Sequence, residues 1–117
     1  MTIQRIKPGS RFASAVCHNG VVYLAGQVAR DPSEDVAGQT RQVLATIDRL
    51  LAEAGTDKTR VLQATVYLAD MKDFAAMNAV WDAWVVQDKL PTRATVEAKL
   101  AAPEYKVEIV VVAAQAD

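Results

Sequence analysis

The run Lys106–Ala114 constrains this chain more than any other. It reads as a strand with Val107, Ile109, Val111 and Ala113 on one face and Glu108, Val110, Val112 and Ala114 on the other. Both faces are apolar apart from Glu108, so both call for cover. Only two stretches carry helical periodicity. The first runs from about Val36 to Ala54 on a stripe of Val36, Val43, Ile47, Leu50 and Ala54, widened by Leu44 and Leu51, with Gly55 closing it. The second runs from about Phe74 to Val86 on Phe74, Met77, Trp81, Trp84 and Val85, with Asp70 or Asp73 as its N-cap. Two helices cover one face of a sheet. The other face has no cover within the chain, and the expectation is burial against further copies of it. Glu108, a carboxylate in that face, is then either paired or functional.

The remaining strands follow from punctuation. Residues 2–6 form a short edge strand, Lys7-Pro8-Gly9-Ser10 a turn, and Phe12–Cys17 a strand of mostly small apolar residues. His18-Asn19-Gly20 reads as a hairpin turn into Val21–Gly26, a strand apolar on both faces. Gly26 leaves room for a ligand or another backbone. Arg30–Asp35 is a polar loop. In Val61–Leu68, residues Leu62, Ala64, Val66 and Leu68 face one way and Val61, Gln63, Thr65 and Tyr67 the other. After Pro91 a strand places Ala94, Val96 and Ala98 on one face and Arg93, Thr95 and Glu97 on the other. The order β-β-β-α-β-α-β-β gives an α+β fold, a mixed sheet with two helices on one face. With no repeat or linker, residues 1–117 are expected to form a single domain.

Composition excludes much. With 13 basic and 14 acidic side chains the net charge is -1, which offers no electrostatic capture of nucleic acid. No apolar run reaches membrane-span length, and Met1–Ile6 lacks a basic start and apolar block, so a soluble cytoplasmic protein is expected. Cys17 is the sole cysteine, which forbids an internal disulfide and reads as a buried structural thiol. His18 adjoins it, so on a strand the two point to opposite faces and make no nucleophile–base pair. Zinc would lack ligands, and the five glycines form no phosphate cradle. No metal or cofactor is expected. Chemistry is left to Arg, Glu, Asp, Tyr, Thr, Asn, backbone groups and water. Arg93, opening a strand after Pro91, is a cation on a rigid element suited to bidentate grip of a small carboxylate. Most polar strand faces simply meet water, so on this stretch alone it reads first as an ordinary solvent-facing charge. Asn78, one turn beyond Phe74, either caps a backbone group or meets a ligand.

Four stretches, Ala25-Gly26-Gln27-Val28, Asp73-Phe74-Ala75-Ala76-Met77-Asn78, Pro91-Thr92-Arg93-Ala94-Thr95-Val96 and Val107-Glu108-Ile109, resemble in order the signatures of the Rid (reactive intermediate deaminase, YjgF-like) family. The likeness spans nearly the whole chain. It implies a chorismate-mutase-like fold assembled as a homotrimer with clefts between subunits. It implies hydrolysis of reactive enamines or imines, of the 2-aminoacrylate or 2-iminopropanoate type, to 2-keto acids and ammonia without cofactor or metal. By the same resemblance Arg93 binds the substrate carboxylate, Glu108 positions or activates water, Gly26 lines the cleft, and Asn78 belongs to the site. Three cleft positions depart from the archetype. Phe12 stands near a tyrosine position, Ala25 replaces a serine, and Thr95 replaces a cysteine. The chain thus resembles a divergent subgroup, for which non-enzymatic binding of 2-keto acids or other small carboxylates is the alternative. Nuclease and chaperone activities, also attributed to relatives of this type, find no basic aromatic strip or dedicated feature here.

Overall fold

In a computed structural model, residues 2–117 are described. Six strands form one sheet: β1 (Gln4–Pro8), β2 (Ala13–His18), β3 (Val21–Leu24), β4 (Val61–Leu68), β5 (Thr92–Glu97) and β6 (Val107–Ala114). Helices α1 (Val36–Glu53) and α2 (Phe74–Trp84) precede β4 and β5. The spatial order is β1-β2-β3-β6-β4-β5. The β4–β5 pair is parallel, as a strand–helix–strand crossover requires, and every other pair is antiparallel. The β2–β3 turn uses Asn19 and Gly20 at positive φ, 55° and 81°, the geometry that matches strand twist in a tight hairpin.

The strand β6 sits at the centre of the sheet, and its alternation decides the layers. Val107, Ile109, Val111 and Ala113 are wholly buried under the helices. They meet Val22 and Leu24 of β3, Ala64, Val66 and Leu68 of β4, and the α1 stripe Val43, Leu44, Ile47, Leu50 and Leu51. Asp35 caps α1 by accepting from the Gly38 N–H at 2.9 Å. Gly55, at φ 78°, follows its end. Helix α2 is tied to α1 where the Trp84 indole donates to the Asp48 carboxylate at 3.1 and 3.2 Å. No helix among the described residues is long and apolar enough to cross a membrane.

Among the described residues, no layer covers the opposite face of the sheet. Val110, Val112 and Ala114 are half-buried, and Tyr23 is 49% exposed. The strand expected to be buried on both sides, Val21–Gly26, is therefore buried on one side within a single chain, and it ends at Leu24. Several expectations shift in detail. β1 starts two residues later and runs to Pro8. A β-bulge between Val61 and Gln63 turns Val61 into the core and Leu62 outward at 49% exposure, the reverse of a simple alternation. α2 stops at Trp84, leaving Val85 as its cap residue. Of the two expected caps, Asp70 accepts from the Lys72 N–H at 2.9 Å in a short 3-10 turn, Met71–Asp73, whereas the Asp73 side chain caps nothing. Phe74, expected in the buried stripe, is 41% exposed.

Candidate functional site

Register decides where the candidate residues go. In the parallel β4–β5 pair Arg93 lies beside Ala64 and Thr95 beside Val66. Ala64 and Val66 pair in turn with Val111 and Ile109 of β6. Arg93 and Thr95 thus stand on the helix-covered face, at the sheet edge formed by β5. Glu108 pairs with Tyr67, and Tyr67 with Val96, so Glu108 stands on the open face. The two charges singled out in the sequence do not meet within one chain. They are parts of two half-sites on opposite sides of the sheet.

The first half-site is an arginine on an aromatic platform. The Arg93 guanidinium carbon lies 5.1 Å from the Trp81 ring centre and 5.9 Å from that of Phe74, within cation–π range. Its nearest polar partner is the Met77 sulfur, 3.9 Å from Nη1, a weak acceptor. Among the described residues it has no ion pair. Burial draws the guanidinium below its usual pKa, and the charge of Asp82 acts in the other direction. It remains a cation at any working pH. Thr95, two residues on, has a buried hydroxyl without a partner among the described residues. Asn78 is half-buried on α2, one turn from both Phe74 and Trp81. This arrangement is a desolvated cation with free fork donors, which suits a planar carboxylate.

The second half-site surrounds Glu108. Gln27 bridges to Ile109 through N–H···O bonds of 2.9 and 3.1 Å, which draws the preceding Gly26 against the glutamate. A Cβ at position 26 would collide with the Glu108 carboxylate. Glycine is needed here for close approach, as its place at the end of the strand suggested. Ala25 sits beside it, its N–H donating to the Ser14 carbonyl at 2.9 Å. Phe12, at the entrance to β2, is 69% exposed. Tyr67, Ala98, Lys99, Leu100 and Val110 complete a depression of about 290 Å³ with Glu108 in its wall. Glu108 forms no ion pair among the described residues.

Sequence reasoning missed the platform. Phe74, Met77 and Trp81 were read as ordinary helix stripe, and the signal that could have separated them was the proximity of an arginine strand to the same helix. A wide depression, about 600 Å³, lies between α1 and α2 over alanines 37, 45, 76, 79 and 83 and includes neither Arg93 nor Glu108. No cluster of three metal-ligating side chains exists among the described residues.

Comparison with known proteins matches the architecture along its length. The sequence profile of a family described as Endoribonuclease L-PSP matches residues 2–115. A RutC family protein of Haemophilus ducreyi is 52% identical over 112 residues, covering 96% of each chain. The RutC family protein YoaB of Escherichia coli is 48% identical over 114 residues, covering 97% of this chain and 99% of that one. The crystal structure of a YjgF protein family member from Neisseria meningitidis superposes with a TM-score of 0.98 at 50% identity, covering 100% of this chain and 98% of the other.

Proposed function

The chain belongs to the endoribonuclease L-PSP family, the YjgF-like or Rid family that also holds the RutC proteins, and from that premise we propose that it hydrolyses reactive 2-imino acids and their enamine tautomers to 2-keto acids and ammonia. The observation that carries this reading is Arg93, a cation seated on Trp81 and Phe74 with no counter-ion among the described residues. A carboxylate-bearing substrate supplies the missing partner. Because Glu108 faces the other way, the complete site needs the open sheet face of a second copy laid against the β5 edge of the first. That geometry supports a homotrimer with three equivalent clefts, a closed ring of one repeated contact.

The chemistry then runs on few groups. Arg93 binds the carboxylate and orients the molecule, which is the positioning contribution to the rate. The enamine takes a proton at carbon and becomes the imine. Water adds to the imine carbon while Glu108 from the neighbouring copy accepts a proton from it. Glu108 returns that proton to the carbinolamine nitrogen, which departs as ammonia while the hydroxyl gives up its own proton and the carbonyl of the keto acid forms. Gly26 keeps the glutamate accessible by carrying no side chain. The net charge of -1 favours this small anion over an RNA strand.

The test pairs two variants. Arg93→Ala should lower kcat/KM by about 10²-fold or more in an assay that generates a 2-imino acid in place. Glu108→Gln should abolish turnover while calorimetry shows 2-keto acid binding retained. Undiminished hydrolysis by Arg93→Ala would place the site elsewhere. A second reading, carboxylate binding without turnover, is favoured by the hydroxyl-free side chains of Phe12 and Ala25. It predicts that the unaltered protein binds 2-keto acids and releases no ammonia.

A further inference from the structure

A second small cavity, about 160 Å³, lies between the end of β1, the segment after β3 and the flank of α1. It contains neither Glu108 nor Arg93, and it adjoins the Glu108 half-site only through Gln27, whose backbone seats Gly26, and Ser14, whose carbonyl holds Ala25. Three of its walls are cations: Lys7, Arg30 and Arg49. Ser14, Thr46 and Gln27 also line it; the Thr46 hydroxyl donates to the Gln42 carbonyl at 3.1 Å and the Gln27 amide to the Ala25 carbonyl at 2.9 Å. Lys7 pairs with Glu53 at 3.0 Å, and Arg49 Nη2 donates to Thr46 Oγ1 at 3.0 Å, which holds that fork in place. Arg30 forms no ion pair among the described residues. Lys7 also holds a left-handed backbone, φ 49°, which a residue with a Cβ adopts only at a cost. Three cations and one pairing carboxylate leave the cluster at +2. Like charges brought together around a concave surface raise its positive potential, which favours an anion between them.

We propose that this cavity binds a phosphate group, either free phosphate or the phosphomonoester of a small metabolite. The charge matches, since such a group carries about -1.5 to -2 at neutral pH. A monocarboxylate would leave the cluster positive. Two guanidinium forks pair with phosphate oxygens, and the Lys7 ammonium can donate to a third. The volume equals the share of about five water molecules, enough for a phosphate and too little for a nucleotide. Arg93 stands apart, so this site is independent of the reading of the cleft.

Calorimetric titration of the full chain with inorganic phosphate, in about 0.15 M chloride to screen diffuse attraction, should show one site per chain. Titration with glycerol phosphate distinguishes the sources, the tighter probe marking free phosphate or ester. The double variant Arg30→Ala/Arg49→Ala should bind at least about tenfold more weakly, and Arg93→Ala should bind as the unaltered protein does. In the unaltered protein, amide NMR shifts on adding phosphate should centre on Lys7, Gln27–Arg30 and Thr46–Leu50. Unchanged affinity in the double variant, loss in Arg93→Ala, shifts centred on residues 74–82, or no binding of either probe would overturn the proposal.

Discussion

At the scale of single residues, Gly26 and Gln39 do opposite work. The three atoms nearest a methyl group at position 26 would all belong to the flexible Glu108 side chain. Gly26→Ala should therefore swing the carboxylate away and leave the fold intact. Turnover is expected to fall at least about tenfold, with a melting temperature shifted by only a few degrees. Gln39 is wholly buried and answers four backbone groups. Its amide nitrogen donates to the carbonyls of Pro32, Glu34 and Glu104 at 3.0, 3.0 and 3.1 Å, and its oxygen accepts from the Lys106 N–H at 2.9 Å. Gln39→Leu orphans those groups and should cost about 2–4 kcal/mol in a denaturant titration. Sequence reading passed over Gln39 because polar helix residues ordinarily face water. Its place three residues after Val36 and four before Val43 put it on the buried stripe all the same. Cys17 behaves as expected of a lone thiol in a core: burial raises its pKa. The neutral thiol is thus favoured in the folded chain. That contribution is complete below the unfolded thiol's pKa and is lost as pH rises above it. Thiol reagents should modify Cys17 much more slowly in native than in unfolded protein.

At the scale of elements, both helices and the order of strands were legible because each carries its own period and its own stop. Gly55 after α1 is such a stop; the structure adds the N-cap Asp35, and Asp35→Ala should destabilise the protein by about 1 kcal/mol, measured by thermal or urea unfolding. What a single element does not encode is its pairing. The bulge that turns Leu62 outward arises where β4 is fitted to β6, so no alternation within Val61–Leu68 could disclose it. The facing of Arg93 is a matter of the same kind. The strand after Pro91 showed two faces, one polar and one apolar. Only its parallel register with β4 decides that the polar face lies under α2 while Ala94 and Val96 join the open face. Helix α2 likewise looked like a plain packing helix, and Phe74 leaves the core because it forms one side of the arginine platform.

At the scale of the whole molecule, the uncovered sheet face was foreseeable from β6 alone, and the separation of Arg93 from Glu108 was not. The proposed assembly makes that separation testable. Arg93→Ala and Glu108→Gln chains, each inactive alone, should regain activity when co-assembled. With random mixing in a ring of equivalent contacts, about one quarter of the clefts receive an intact arginine and an intact glutamate. Failure to regain activity, with mixed assembly confirmed by differential tagging, would mean that the two residues do not act together across copies. Val112→Arg, placed in the middle of the open face beside Tyr23 and Gln63, should lower the assembly state in sedimentation and remove turnover together.

The central position of β6 also sets an order of events in synthesis. Residues 107–114 join β3 to β4, and among the described residues no pairing connects β1–β3 with β4–β5 except through them. A ribosome has made every other element of the sheet before it reaches this strand. Until then the nascent chain holds a three-stranded meander and a separate strand–helix–strand unit, each with an apolar edge awaiting the same partner. Folding of the sheet is thereby deferred until β6 emerges, and a chain arrested before Val107 should remain open to protease and a client for chaperones.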